Sequence, residues 1–571
     1  VCPGLSGRVI ACATDRLTRT SVLQRFTATQ TANMGSLELP QPDYDVLIIG
    51  AGLSGCYACH RMQQLNLKVK VLEAGSSVGG TWYWNRYPGC RFDCESYSYN
   101  FFWCKEVLDE WTWSEHFAPQ EETERYIQFI CNKYDLWKSM QFDTRVKSAH
   151  WQSEGGFWRI ADETKRVYTA RFLITGIGLL SDPTLPNIIG VEDFKGEAFH
   201  TSRWPRHKVS FEGKNVGVIG VGATAIQIIP EVAKAAKSLT VFQRTPNWAI
   251  PLHNSPIDEE GMKEIRAAYP ETLNKINTNR LSFLHGDGDE SIWDYTPEER
   301  EAFWEYMYAQ PGFGFWVSNY KETLKDREAN ALVSEFVAKK IRQRVHDAWT
   351  AEKLIPKTYG FGLRRVPMET NFYEAFNRPN VRLVDLLETP ITRVKEKSVQ
   401  TSQENIELDM LIYATGFSAI TGAFDAIDFR GTNNHRLLDE WKDGPRTYLG
   451  LTVQHFPNMF MSIGPHQAYG NIPASIEYAV GWIAECIEFL HNHNISYIEA
   501  KEEGVRNWTE HVHELGQGLL SNEVDSWLTG VNKNVAGKQK RIIARYSGAA
   551  PDFRRQCNVV ADAKYVAFEL R

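Results

Sequence analysis

The first residues with an evident chemical use are three glycines, Gly50, Gly52 and Gly55, at the spacing GxGxxG. In this motif the first glycine permits a tight turn, the second lets the backbone approach a pyrophosphate, and the third lets a helix pack on a strand. The next apolar run, KVKVLEA, carries Glu73 near its end, where a carboxylate suits two free ribose hydroxyls and disfavours a 2′-phosphate. The pattern predicts a site for the ADP part of FAD or NAD.

A second glycine motif differs at the corresponding position. Gly220 and Gly222 are followed by Ala225, which the motif accepts in its last place. The next strand, SLTVFQR, ends at Arg244, and a guanidinium holds the 2′-phosphate that an acid would repel. The second site is therefore predicted to select NADP. One chain with both sites is expected to transfer hydride from NADPH to FAD.

Short apolar strands and helices must position these turns. Residues 44–49 (YDVLII) and 215–219 (NVGVI) lead into the two motifs, as buried strands of a parallel sheet do. Residues 408–417 (LDMLIYATGF) form a further apolar strand, which we assign to a late return into the first nucleotide domain. Residues 251–359 change to charged, aromatic and amphipathic helical stretches. We predict an α/β fold with two Rossmann-like dinucleotide-binding domains and a helical insertion.

Composition narrows the classes of partner. The formal net charge is -7 over 571 residues and the basic residues are scattered, so neither nucleic acid nor a membrane is an expected partner. Ten cysteines without the density of a disulfide scaffold indicate reduced thiols in a soluble, cytoplasmic protein. Cys56 and Cys59 precede His60 in a CxxCH pattern, but they occupy a helix packed on a sheet, so we interpret them as core residues and expect no metal. Cys90 and Cys94 are interpreted as inert.

The first 33 residues differ from the rest of the chain. They hold four arginines, one acid and eight Ser or Thr residues, a composition that resembles an organellar transit peptide. Met34, however, opens a conventional start ahead of the first strand. We therefore expect a leader outside the fold, with organellar targeting as the alternative.

The segment between the two predicted domains carries a longer pattern, F-x-G-x-x-x-H-x-x-x-W-P. It is filled by Phe194, Gly196, His200, Trp204 and Pro205. Together with the two glycine motifs, GGTWYWNRYPG, ATGF and WLTGVN, it resembles the fingerprint of Baeyer-Villiger monooxygenases, a class of flavin-dependent enzymes, over about residues 44–548. Arg206 stands where that family often has Asp. The resemblance implies that the segment links two moving domains and that His200 couples their motions.

The resemblance also implies a reaction. FAD, NADPH and O2 insert one oxygen atom next to a ketone carbonyl, through a peroxide at flavin C4a and a tetrahedral adduct, to give an ester or lactone. A fixed cation beside the flavin stabilises both anions. In GFGLRRVPMET the family's cation corresponds to Arg365, with Arg364 at the NADP phosphate, and Asp93 orients Arg365. The segments RRVP and GPHQAYGN indicate the branch that accepts larger cyclic or aliphatic ketones.

The remaining site residues and the domain limits follow from the same resemblance. The residues expected along FAD are Gly80, Thr81, Trp82 and Arg86, and those expected at NADP are Thr224, Gln227 and Thr245. A mobile loop near 527–540 is expected to carry Trp527 and to close over NADP and substrate. The substrate tunnel is expected to be lined by His466 and Tyr469. The expected segments are a leader (1–43), FAD domain (44–180), linker (181–205), NADP domain (206–250), helical insertion (251–359), NADP domain (360–400) and FAD domain (401–571).

Two other functions remain open on the sequence, and a third is excluded. A related flavin monooxygenase that oxidises sulfur or nitrogen has a similar fingerprint, typically without the Trp-Pro ending. A disulfide reductase would need a redox cysteine pair, which the sequence does not offer. A nucleotide sensor without turnover would keep both glycine motifs but would not need Arg365 and Asp93 together.

Overall fold

The computed structural model describes residues 41–571. Residues 1–40, with most of the predicted leader and any targeting signal, lie outside the described residues. The predicted leader extends to residue 43, but Asp43 belongs to the fold. Its carboxylate accepts a hydrogen bond from the Thr169 hydroxyl at 2.8 Å, and its backbone N–H donates to the oxygen of that hydroxyl at 2.8 Å. The end of the predicted leader is therefore too late.

The first sheet surrounds the first glycine turn. Its eight strands are, in spatial order, Asp428–Arg430, Val146–Gln152, Phe157–Asp162, Val167–Thr175, Tyr44–Ile49, Val69–Leu72 and Met140–Gln141, with Met459–Met461 beside Val167–Thr175. The strand before the glycine turn is central and pairs in parallel with both neighbours. Its last four residues are buried, because Val46 and Ile48 pack in one apolar cluster and Leu47 and Ile49 pack in another.

The second sheet has five strands, and all its pairings are parallel. Their order is Val381–Asp385, Ser238–Gln243, Asn215–Ile219, Met410–Tyr413 and Glu197–His200. The assignment of residues 408–417 to the first domain is wrong, because Met410 pairs with Val216 and Tyr413 with Ile219 in this sheet. An apolar strand fits either sheet, so its local sequence does not identify its partner. The chain returns to the first sheet only with its strands at residues 428–430 and 459–461.

The helices cover these sheets and fill the predicted insertion. Leu53–Gln64 and Ala223–Ala235 follow the two glycine turns. The insertion contains Glu259–Ala267, Tyr269–Thr278, Pro297–Tyr308, Gly314–Val317, Arg327–Arg344 and Ala348–Leu354. The other helices are Thr81–Trp84, Lys105–Glu110, Gln120–Lys133, Phe372–Ala375, Gly422–Asp425, Leu437–Glu440, Ile472–Asn492, Glu502–Leu515 and Ala550–Asp562. None of the helices within residues 41–571 has the length and apolarity needed to cross a membrane.

Short strands complete the fold. They are the pair Ile250–Pro251 and Met368–Glu369, the antiparallel trio Ile391–Lys395, Ser398–Thr401 and Asn405–Glu407, and the pair Ile498–Ala500 and Phe568–Leu570. The first of these pairs ties the start of the helical insertion to the segment that follows it. The insertion therefore leaves and re-enters the second domain at adjacent points.

Candidate active site

The first glycine turn leaves an open helix end. Among the described residues no side chain caps the helix that starts after Gly52, and its first turn contains no acid. Its N–H groups are thus free for an anion. A Cβ atom on Gly80 would lie 2.7 Å from the Cα of Gly52, so only glycine permits this approach of two backbones. The resulting cradle fits the pyrophosphate of a dinucleotide.

Glu73 lies buried at the end of the next strand, 5% exposed. Its carboxylate accepts hydrogen bonds from the N–H groups of Ala51 and Gly75, both at 2.6 Å. Burial raises the pKa of Glu73, and these two N–H donors oppose the rise. The acid therefore stands at the strand end where the motif holds a ribose.

The other residues predicted along FAD have different surroundings. Thr81 is exposed at the start of its short helix, and the Trp82 indole N–H donates to the hydroxyl of Tyr99 at 3.0 Å. The guanidinium of Arg86 is occupied by a two-pronged ion pair with Glu124, at 3.0 and 2.9 Å. Arg86 thus braces the first domain through its side chain.

The second glycine turn is also open, and two cations stand near it. A Cβ atom on Gly222 would meet no described atom within 4 Å. Neither Arg244 nor Arg364 forms an ion pair with a carboxylate in residues 41–571. Burial first, and the charge of Arg364 second, lower the pKa of Arg244. Two neighbouring unpaired guanidinium groups fit a phosphate dianion. Thr245 is half-buried beside Arg244.

Arg365 and Asp93 form the central pair of the site. Asp93 is 6% exposed and accepts a hydrogen bond from Nη1 of Arg365 through Oδ2. The same oxygen accepts from the backbone N–H of Met368 at 3.3 Å. The Arg365 guanidinium carbon lies 5.6 Å from the ring centre of Phe313. The cation and acid that the resemblance paired are thus brought together from distant segments.

Gln227 connects this pair to the second glycine helix. Its side-chain amide donates to the Arg91 carbonyl at 2.9 Å and to Oδ1 of Asp93 at 3.4 Å, and it accepts from the Tyr87 hydroxyl at 2.7 Å. The structure therefore places Gln227 in the Asp93 network, although it was predicted to line the NADP site. Thr224, on the same helix, lies 3.0 Å from the hydroxyl of Thr201 in the linker.

The linker supplies the edge strand of the second sheet. Phe194 and Trp204 are buried, and a Cβ atom on Gly196 would lie 2.5 Å from the Asp409 carbonyl oxygen. His200 ends the edge strand, and its Nδ1 accepts from the backbone N–H of Ser202 at 3.1 Å. Burial, and secondarily the charge of Arg203, lower the pKa of His200 to about 4. His200 is therefore neutral at physiological pH.

Arg206, at the position after Pro205, reaches the first domain. Its guanidinium carbon lies 4.2 Å from the ring centre of Tyr83, and Nη2 lies 3.9 Å from Glu124. The departure from the fingerprint thus has a place in the fold, because a cation at this position stacks on Tyr83 and an acid would face Glu124. The sequence shows the substitution but not the partners of Arg206.

The segment predicted to be a mobile loop contacts the linker. Trp527 is half-buried and begins the short 3-10 helix Trp527–Thr529. Asn532 donates to the Thr184 hydroxyl at 3.2 Å and to the Phe417 carbonyl at 2.8 Å. These bonds connect the loop to the strand ends of the second domain.

The prediction from sequence did not include His285, and it expected a different environment for His466. His285, from the insertion, lies 2.7 Å from Glu95, two residues after Asp93, and only the proximity of Glu95 to Asp93 in sequence hinted at it. His466 was expected in the substrate tunnel but is 0% exposed, with Nε2 3.1 Å from the Ile543 carbonyl oxygen. The Tyr469 hydroxyl donates to the Gly464 carbonyl at 2.5 Å.

The cysteines singled out in the sequence are core residues. Cys56, Cys59, Cys90 and Cys94 are free and buried. Burial raises the pKa of Cys59 and of Cys90 to about 12, so neither is a reactive thiolate. This agrees with their interpretation as small apolar side chains.

Comparisons with known proteins relate the chain to flavin-dependent monooxygenases. The Flavin-binding monooxygenase-like family matches residues 44–261. The chain is 43% identical to 2-oxo-Δ3-4,5,5-trimethylcyclopentenylacetyl-CoA monooxygenase of Pseudomonas putida, covering 93% of this chain and 98% of that one. It is 38% identical to cyclohexanone 1,2-monooxygenase of Acinetobacter sp, covering 93% and 97%. The crystal structure of OTEMO in complex with FAD and NADP superposes with a TM-score of 0.90 at 43% identity, covering 93% of this chain and 100% of that one.

Proposed function

Because the chain belongs to the Baeyer-Villiger family of flavin-dependent monooxygenases, we propose that Arg365 and Asp93 form its catalytic centre. The enzyme uses FAD, NADPH and O2 to insert one oxygen atom next to a ketone carbonyl, giving an ester or lactone. The observation that supports the proposal is the hydrogen bond between the Arg365 guanidinium and the buried Asp93 carboxylate.

Arg365 supplies a permanent positive charge. When bound, the reduced flavin activates O2 and provides the oxygen atom. A guanidinium stays protonated at any physiological pH, so Arg365 stabilises negative charge on the ketone oxygen without giving up a proton. Asp93 fixes one edge of this guanidinium and is itself held by the Met368 N–H and the Gln227 amide. The pair is therefore preorganised.

The two glycine turns bind the two cofactors. Gly50, Gly52, Gly55, Gly80 and Glu73 hold the ADP part of FAD, and Thr81 and Trp82 flank it. Gly220, Gly222 and Thr224 receive the pyrophosphate of NADPH, with Trp527 and Thr245 beside it. Arg244 and Arg364 bind the 2′-phosphate, since both cations lack an acidic partner within the described chain. Gln227 and Arg86 act as positioning residues, through Asp93 and Glu124 respectively.

The linker contacts both cofactor domains and couples their movements. The first sheet with residues 44–180 forms the FAD domain, and the second sheet forms the NADP domain. The strand at residues 197–200 makes the linker part of the NADP sheet, while Arg206 stacks on Tyr83 of the FAD domain. His200 and its neighbours therefore transmit movement between the domains.

The substrate is a cyclic ketone. The relatives named above act on a cyclopentenyl acyl-CoA compound and on cyclohexanone, and each name contains a five- or six-membered ring. Such a ring is bulky and apolar, and it suits the aromatic surroundings of Arg365 provided by Phe313 and Phe283.

The decisive experiment is oxygenation under 18O2. Purified holoenzyme is mixed with NADPH and cyclohexanone, and the product is analysed by mass spectrometry. We expect a lactone that contains one 18O atom, with about one NADPH consumed per lactone. Methyl phenyl sulfide serves as the competing substrate. NADPH consumption that yields only hydrogen peroxide, or oxygenation of the sulfide alone, would contradict the proposal.

A further inference from the structure

An arginine without an acidic partner lies where the C-terminal segment meets the helical insertion. Nη2 of Arg545 donates to the hydroxyl of Ser521 at 3.0 Å. Its Nε is buried and has no hydrogen-bond partner among residues 41–571, and no carboxylate of that range lies within 4.0 Å of the guanidinium. Burial, and then the charge of Arg280, lower the pKa of Arg545 to about 10. The guanidinium is therefore largely removed from water with no negative charge beside it.

Arg280 and Ser547 complete a group of donors at this place. Nη2 of Arg280 donates to the backbone carbonyl of Ser547 at 2.8 Å, which draws the two segments together. The Ser547 hydroxyl is buried and has no partner within the described residues. The acid facing Arg280 is Asp287, 3.8 Å from its Nε and 37% exposed. Of the two cations, only Arg280 thus has a carboxylate within 4.0 Å among the described residues, and that carboxylate is 37% exposed.

A purely structural role does not explain this arrangement. A desolvated guanidinium needs an anion and acceptors for its N–H groups, and leaving either unfulfilled costs free energy. A protein that used Arg545 only for packing would gain by pairing it with an acid. An anionic group from outside the chain would supply both the negative charge and an acceptor for the free N–H of Arg545.

The phosphates of the two cofactors are accounted for elsewhere. The open helix ends after Gly52 and Gly222 suit the two pyrophosphates, and Arg244 with Arg364 suits the 2′-phosphate. The anion that would pair with Arg545 is therefore none of these cofactor phosphates. Of the two remaining reactants, O2 and the ketone, only the ketone can carry an anionic group.

A short connection leads from this group to the catalytic pair. Arg280 and Phe283 belong to one turn, closed by a hydrogen bond from Ser282 N–H to the Asn279 carbonyl at 3.0 Å. Three residues span at most about 11 Å. The Phe283 ring centre lies 4.9 Å from that of Phe313, which faces Arg365. A ketone at Arg365 with a side chain of moderate length can therefore reach the arginines.

We propose that Arg545, Arg280 and Ser547 form an anion subsite that holds a carboxylate or phosphate on the side chain of the ketone substrate. This inference rests on the proposed function and narrows its substrate class to cyclic ketones with an anionic tail. A neutral ketone would leave the Arg545 charge unpaired, so the subsite selects against it.

The test compares a cycloalkanone that bears a carboxymethyl group with its methyl ester. Wild-type holoenzyme should have a kcat/KM for the keto acid at least about tenfold above that for the ester, since a charge-assisted hydrogen bond is lost with the ester. Arg545→Met should abolish this preference, mainly through KM for the keto acid. Arg541→Met is the matched control, because Arg541 lies in the same segment but is 47% exposed and pairs with Asp525 at 2.7 Å.

Direct binding separates this proposal from the proposed function. Keto acid is titrated into oxidised holoenzyme and the flavin absorbance is followed, with inorganic phosphate as the competitor. Binding that weakens at least about tenfold in Arg545→Met and in Arg280→Met would support the subsite even if no ketone were oxygenated. Equal affinity for acid and ester, or equal loss of both in the variants, would overturn it. Arg545-dependent binding of phosphate without any Arg545-dependent binding of the keto acid would also overturn it, since the site would then serve a free anion.

Discussion

The guanidinium of Arg365 donates a hydrogen bond to Asp93, which lies 272 residues earlier in the sequence. The side chain of Asp93 is 5% exposed and that of Arg365 is 29% exposed. Both recorded bonds of Arg365 within residues 41–571 use Nη1, so Nη2 and Nε are available to a substrate oxygen. One face of the cation is thus held by the protein and another is left for chemistry.

Replacement of Arg365 should uncouple the two halves of the reaction. In Arg365→Ala we expect NADPH to reduce the flavin at close to the wild-type rate, while ester formation falls by about 10²-fold or more, because the charge on the ketone oxygen is no longer stabilised. The measurement combines anaerobic flavin reduction with product analysis. Arg393→Ala is the control, since Arg393 forms an exposed pair with Asp193 at 2.8 Å. Ester formation within a few-fold of wild type would remove Arg365 from the catalytic centre.

The same pair should contribute to stability. Asp93→Asn leaves the Arg365 charge without its partner, and we expect a loss of about 2 kcal/mol in the free energy of unfolding, reduced from the value for a fully buried pair because Arg365 is partly exposed. The double variant with Arg365→Met should lose less than the sum of the single variants. Urea unfolding of all four proteins measures this coupling. The exposed pair Arg382 and Glu404 should show a coupling close to zero.

Selection of NADPH should depend on two arginines. In Arg244→Ala and in Arg364→Ala we expect the ratio of kcat/KM for NADPH to that for NADH to fall by about tenfold or more, because each loses a charged contact to the 2′-phosphate. The value for NADH itself should change little. Arg382→Ala, at the neighbouring strand of the same sheet, is the matched control. An unchanged ratio in both variants would place the 2′-phosphate contact elsewhere.

The glycine turns and their strands were predictable because their requirements are local. A tight turn, a close backbone approach and a strand before a helix all lie within some 15 residues, so the sequence of Gly50 to Gly55 identifies them. The position of Arg244 was predictable for the same reason, as it directly follows the strand after the second turn. The pair of Arg365 and Asp93 was not, since nothing in their own segments joins them, and it was inferred only from resemblance.

Long-range partners account for the differences between prediction and structure. The strand at residues 410–413 is apolar and suits both sheets, and its position was decided by pairing with residues 216–219. The same holds for Arg545, whose distinctive property is that no carboxylate of the described residues pairs with it. A sequence does not show which side chains surround a residue. Gln227 was assigned to the NADP site by resemblance, although its amide donates to Asp93.

Stability should fall in mild acid through His200. The pKa of His200 is lowered to about 4 in the fold, whereas an unfolded His titrates near 6.5. Below pH 6.5 the unfolded state therefore binds more protons, so the free energy of unfolding decreases from about pH 6.5 towards pH 4, by on the order of 3 kcal/mol. His200→Gln should make this part of the curve less steep in urea unfolding, while His60 and His466, whose pKa burial also lowers to about 4, maintain the rest of the slope. His346→Gln, at an exposed position, should leave the slope unchanged. An equal slope in wild type and His200→Gln would contradict the expectation.

A matched pair of glycine substitutions separates folding from cofactor binding. A Cβ atom at Gly55 would lie 1.8 Å from the Gly50 carbonyl oxygen, so Gly55→Ala should unfold or lose FAD. A Cβ atom at Gly222 would meet no described atom within 4 Å, and its φ of -78° suits any residue. Gly222→Ala should therefore keep its melting temperature and FAD content. The added methyl group occupies the space in which we place the NADPH pyrophosphate.

The expected result for Gly222→Ala is thus a rise of about tenfold or more in KM for NADPH, in a protein as stable as wild type. Rates of anaerobic flavin reduction at increasing NADPH concentrations measure this effect without any contribution from oxygen or ketone. The reduction rate of Gly222→Ala should reach its maximum only at higher NADPH concentrations than in wild type, because the methyl group opposes close approach of the pyrophosphate to the helix end. An unaltered KM with intact stability would mean that NADPH does not bind over Gly222, and the open helix end would then need another ligand.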